Sequence, residues 1–182
     1  MTLFVALLRG INVGGNNKVS MAELRALLTG IGFGNVQTYI QSGNAVFSAD
    51  VANSETVRAQ LEMAIAKHFG FAVSVLVLSA SEFFIAAKFS PFAPDICDPA
   101  MVHLGFMAAS PHAAALDNLR AKPQGTDLWL AVDRVFYLYA PVGLGKSILA
   151  PFIERTLKVP VTFRNWRTVL TLKGMVETSA GQ

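Results

Sequence analysis

The chain has 182 residues, 53% of them hydrophobic, and a formal net charge of +3, which allows one sizeable domain or two small ones and excludes a disordered protein. Its N-terminal apolar run, Leu3 to Leu8, ends at Arg9. That is too short for a signal-peptide core or for a membrane span of about 20 residues, so a cytoplasmic protein without a membrane association is expected. The lone cysteine, Cys97, leaves no intrachain disulfide and no cysteine-based zinc cluster.

The run LFVALL, closed by Gly10, fits a strand buried on both faces. After the loop INVGGNNKV, Ser20 and Glu23 form a capping-box pattern at the start of a helix, and the apolar positions Met21, Leu24, Leu27, Leu28 and Ile31 recur at helical spacing. The glycines of IGFGN end that helix. Val36–Ile40 and Ala45–Phe47 then read as two strands of a hairpin around QSGN. A second amphipathic helix begins near Asn53 or Ser54 and closes at Gly70, before the β-branched strand VSVLVL. A short helix from Ser79, with a box-like Glu82, leads into the proline-rich connection FSPFAPDICDP.

The element order then repeats. MVHLGFM is a strand, Ser110 and Pro111 are placed to open a helix, LWLAV and VFYLYA flank a tight Asp133-Arg134 turn, and PVGLGKS leads into a helix with Leu149, Phe152, Ile153 and Leu157 inward. PVTF is the last strand, and RNWRTVLTLKGMVE is a closing helix capped by Asn165. The expected fold class is α+β, with two ferredoxin-like βαββαβ halves, each an antiparallel sheet with helices on one face, plus a C-terminal helix. The expected division is 1–78 and 101–164 for the halves, 79–100 for the short helix and connection, and 165–182 for the C-terminal helix and tail, together one compact unit.

That topology decides which loops meet. The exit of the first strand and the hairpin between the second and third strands belong at one end of the first sheet, so Arg9, Asn12, Gly14, Gly15, Asn17 and Lys18 should approach Gln41, Ser42 and Asn44. Glycines leave backbone amides uncovered and the side chains offer convergent hydrogen bonds, which suits an anion or a polar small molecule. The loop holds no carboxylate and no histidine to serve as a general base. By the same reasoning GLGKS and RNWR share an end of the second sheet, making Gly145, Lys146, Ser147, Arg164, Asn165 and Trp166 a secondary candidate anion site.

The segment Ala140–Ser147 fits a relaxed nucleotide phosphate-loop pattern, but no aspartate follows Asp133 to hold magnesium, and the preceding strand lies in a hairpin. His68, His103 and His112 have no metal-ligand spacing, so no metal and no cofactor is expected. From Arg134 onward Arg134, Lys146, Arg155, Lys158, Arg164, Arg167 and Lys173 outnumber Glu154 and Glu177. This basic quarter could face RNA, but the central strands lack the aromatic and basic consensus of an RNA-recognition sheet, which argues against nucleic acid.

The strings FVALLRGINVGGNNKVSMAELRALL, YIQSGNAVF and YAPVGLGKS…IER…FRNWRTV resemble the bacterial domain of unknown function 1697 family, from Thr2 to about Lys173. The resemblance implies a duplicated α/β fold and carries no activity. Departures from the family pattern fall at Ile148, Arg167 and Thr171, in the C-terminal motifs, while the N-terminal motif is intact. The expected function is therefore a binding module for a small anionic or polar ligand at RGINVGG and QSGN. The alternatives are an enzyme acting on a phosphorylated or nucleotide substrate at GLGKS and RNWR, and an RNA-interacting protein.

Overall fold

The computed structural model describes residues 1–51, 53–88, 90–92 and 97–181, so part of the proline-rich connection lies outside the described residues. The chain divides into two compact units, Met1–Ala86 with Thr171–Gln182, and Ala87–Leu170. In the first unit β1 (Thr2–Leu8), α1 (Met21–Gly30), β2 (Gly34–Tyr39), β3 (Asn44–Ala49), α2 (Ser54–Phe69) and β4 (Val75–Ser79) follow the expected order. They build an antiparallel sheet of order β2-β3-β1-β4, with Leu7 opposite Asn44 and Leu8 opposite Val75.

Alternation along β1 decides the core. Phe4, Ala6 and Leu8 share a face with Phe47, Ala49, Val75 and Val77, and α1 and α2 cover it with Leu24, Leu28, Val57, Leu61 and Ile65. Fully burying side chains of this size contributes about 1.5–3 kcal/mol each, so these positions dominate the stability of the unit. Phe33 stacks on Phe47 with ring centroids 4.6 Å apart. Asn53 caps α2 through Oδ1, which accepts from the N–H of Glu55 at 2.8 Å, and Gly70 closes that helix at φ 79°.

α3 (Ala80–Lys88) follows β4, with a capping box closed in both directions. Ser79 N–H donates to Glu82 Oε2 at 2.8 Å, and Glu82 N–H donates to Ser79 Oγ at 3.3 Å.

The second unit repeats the topology. β5 (Val102–Met107), α4 (Ala113–Arg120), β6 (Leu128–Val132), β7 (Val135–Tyr139), α5 (Ala150–Leu157) and β8 (Val161–Asn165) give the sheet order β6-β7-β5-β8, again antiparallel throughout. Leu119, Phe136, Leu138, Leu149, Ile153 and Leu157 are buried together on one face, and Trp129 stacks on Phe136 at 5.1 Å. The two sheets have the strand order and pairing of two ferredoxin-like halves. α6 (Trp166–Ala180) closes the chain.

Two expectations at helix starts change. α4 begins at Ala113 with His112 as its N-cap and no side-chain capping bond, so Ser110 and Pro111 stand before the helix. The turn Leu144–Lys146 is a 3-10 helix, and α5 begins only at Ala150.

One glycine sets how closely the hairpin after β2 closes on the loop after β1. Gly43 has φ 79°, and a Cβ there would lie 2.6 Å from Ile11 Cδ1 and 2.8 Å from Leu8 Cβ. Gly14, at φ 59°, has open space around it. Gly43→Ala should therefore cost about 2–4 kcal/mol, left-handed strain plus overpacking, and Gly14→Ala about 1–2 kcal/mol from strain alone. Urea unfolding of the two variants checks the order. Equal losses would show that the hairpin does not pack on Ile11 as described.

Candidate functional site

The loop after β1 is a miniature hairpin. Val13 and Asn16 bridge across Gly14 and Gly15, which have φ 59° and 82°, and Asn12 N–H donates to Asn17 O at 3.1 Å. Two successive positive φ values are what a tight primed turn demands, and glycine meets that demand at least cost. Asn17, itself at φ 47°, donates from Nδ2 to Gly10 O at 3.1 Å.

Asn12 ties this loop to the rest of the unit. Its Nδ2 donates to Val19 O at 2.9 Å, to Gln41 O at 2.9 Å and to Gln41 Oε1 at 3.3 Å, while its Oδ1 accepts from Val19 N–H at 2.9 Å. One side chain thus joins the start of the loop, its end and the tip of the β2–β3 hairpin. The backbone agrees, since Leu8 N–H donates to Gly43 O at 2.8 Å. The hairpin carries strain of its own, because Ile40 is held at φ 48°, a region costly for a β-branched residue. Asn44 is fully buried and braces that hairpin, donating from Nδ2 to Tyr39 O at 2.9 Å and to Ser42 Oγ at 3.1 Å.

Beside the joint lies an open depression of about 510 Å³, lined by Asn12, Gly15, Lys18 and Gln41 together with Val19, Ser20 and Glu23. Four of the residues singled out in the sequence therefore line it. Arg9, Gly14, Asn17, Ser42 and Asn44 do not; Arg9 is half-buried and its N–H donates to Ser74 O at 2.9 Å.

Ser20 and Glu23 read in the sequence only as a helix start. Folding the loop back through Asn12 brings that start to the depression and adds a carboxylate that the loop itself lacks. Ser20 Oγ accepts from Glu23 N–H at 3.5 Å and so caps the first turn of α1.

In the second unit, the polar residues at the end of the sheet are drawn into internal contacts. Ser147 is buried; its hydroxyl donates to Asp127 Oδ2 at 2.6 Å and accepts from Ala150 N–H at 2.8 Å. Leu149 N–H also donates to Asp127 Oδ2, at 3.2 Å. Asp127 is 5% exposed, and its Oδ1 has no partner among the described residues. A phosphate loop runs straight into its helix at the lysine and serine, whereas here three residues of 3-10 helix and an extended Ser147 intervene, so this is not that geometry.

Lys146 and Gly145 are exposed. Arg164 is buried, its Nη1 donates to Phe163 O at 2.9 Å, and burial pushes its guanidinium down to about 10. Asn165 donates from Nδ2 to Ala100 O at 2.6 Å and accepts from Arg167 N–H at 3.0 Å, capping α6, next to the half-buried Trp166. Burial also lowers His103, whose Nδ1 lies 3.1 Å from Met101 O.

No group of three or more histidine, cysteine, aspartate or glutamate side chains among the described residues is placed to hold a metal ion. No helix among them is long and apolar enough to cross a membrane.

A family model described as "Protein of unknown function (DUF1697)" matches residues 1–137. The conserved bacterial protein SP0830 from Streptococcus pneumoniae has a similar structure, with a TM-score of 0.72 and 29% identity over 96% of this chain and 98% of that one. No curated protein matches.

Removing the Asn12 side chain tests the joint. Asn12→Ala loses these hydrogen bonds and places alanine at φ 56°, so a loss of about 3 kcal/mol is expected. Asn12→Asp keeps the acceptor for Val19 N–H but sets a carboxylate oxygen against the carbonyls of Val19 and Gln41, so it should also lose stability. Denaturant midpoints at neutral pH measure both, and a change below about 0.5 kcal/mol for the alanine variant contradicts the joint.

Proposed function

The chain belongs to the DUF1697 family, and we propose that it is a binding module for a small polar or phosphate-bearing ligand, held between the loop after β1 and the β2–β3 hairpin. The observation that carries this reading is the depression where Lys18, Gln41 and Gly15 meet the first turn of α1. The Lys18 ammonium and the Gln41 amide supply donors that a phosphate or carboxylate matches, with the Glu23 carboxylate on the same rim. Asn12 is assigned to building the site, since its amide is already engaged by Val19 and Gln41.

The enzymatic alternative at GLGKS and RNWR gains no support, because the Ser147 hydroxyl is spent on Asp127 and Arg164 is buried. Nor does any described contact favour RNA over a small ligand.

A thermal-shift screen of inorganic phosphate, sugar phosphates, nucleotides and organic acids tests the proposal. A ligand at a hundred times its dissociation constant adds about 2.7 kcal/mol to stability. Lys18→Ala, an exposed position outside the core, should weaken binding several-fold while leaving the unliganded melting point unchanged. The proposal falls if no ligand shifts the melting point, or if Lys18→Ala binds as the parent does.

A further inference from the structure

Glu23 sits where a capping box uses its carboxylate on the N-cap amide, as Glu82 does at α3. At α1 only half of the box forms: Ser20 accepts from Glu23 N–H, and the Glu23 carboxylate makes no hydrogen bond or ion pair with any described residue. Lys18 lines the same depression and is equally unengaged, and the two opposite charges are not within ion-pair distance of each other. A purely anionic ligand would meet Lys18 favourably and Glu23 unfavourably. A ligand with both signs of charge would satisfy each.

Resting on the binding reading above, we infer that the ligand class of this site is zwitterionic: a small molecule bearing a phosphate or carboxylate for Lys18 and an amine for Glu23. The amine donates to the Glu23 carboxylate while the anionic group takes the Lys18 ammonium, so the ligand completes a charge pair that the fold leaves open. Both side chains are exposed, so each contact is worth a few-fold in affinity rather than orders of magnitude.

Two matched pairs of probes separate the classes, O-phosphoethanolamine against ethyl phosphate and glucosamine 6-phosphate against glucose 6-phosphate, titrated into the full chain and followed by amide shifts at Gly15, Lys18, Glu23 and Gln41. The expected result is tighter binding of the amine-bearing member in at least one pair, by about two- to fivefold, abolished in Glu23→Gln while the amine-free member binds as well or better. Equal binding within both pairs, or a preference that survives Glu23→Gln, overturns the zwitterion assignment. If Lys18→Ala still weakens the amine-free members in that case, the binding site itself stands. Absence of any shift with all four probes removes both.

Discussion

The antiparallel pairing of β1 with β3, locked at its end by the Asn12 side chain, is the constraint on which the polar end of the first unit depends. Pairing sets Leu7 opposite Asn44 and so brings the exits of β1 and β2 together. It does not by itself order a loop of some twelve residues rich in glycine and asparagine, whose backbone entropy costs about 1–2 kcal/mol per residue to fix. Asn12 offsets part of that cost by tying Val19 and Gln41 to one amide, and Gly43 lets Ile11 close against the hairpin. The depression exists because the loop cannot drift away from the hairpin.

The two units share a topology and carry these polar clusters at opposite ends of it, the first at the turn of its central hairpin and the second at that hairpin's open end. In the first, exposed Lys18, Ser20 and Glu23 ring a depression, and the bracing is done by buried or half-buried asparagines. In the second, Asp127 and Ser147 are pulled inside, where the carboxylate fixes the segment between β7 and α5. A buried acceptor without a partner, such as Asp127 Oδ1, costs about 1–3 kcal/mol. The two donors on Oδ2 and the apolar packing around Leu149 are what the second unit sets against that cost.

Much of the fold was legible because the sequence spells it locally. Capping residues at Ser20, Asn53 and Ser79, the stop at Gly70, the turn at QSGN and alternation along β1 each encode a boundary within a few residues. The meeting of the two loops followed from topology alone. Which side chains line the depression did not. Asn44 and Asn17 look like binding groups in a string of letters, but their amides close backbone turns, which is decided only by positive φ values and the register of the hairpin. Ser20 and Glu23 carry a local capping signal strong enough to hide that they also line the depression. Asp127, twenty residues before Ser147, gives no sign in sequence of being its partner.

The Asn12 side chain joins the loop to the hairpin, and its amide protons report on that joint directly. In solution at neutral pH, the Asn12 Hδ2 protons should exchange slowly with solvent and show nuclear Overhauser contacts to Val19 and Gln41. Exchange at the rate of an unstructured amide, with contacts confined to residues 10–17, would contradict the account.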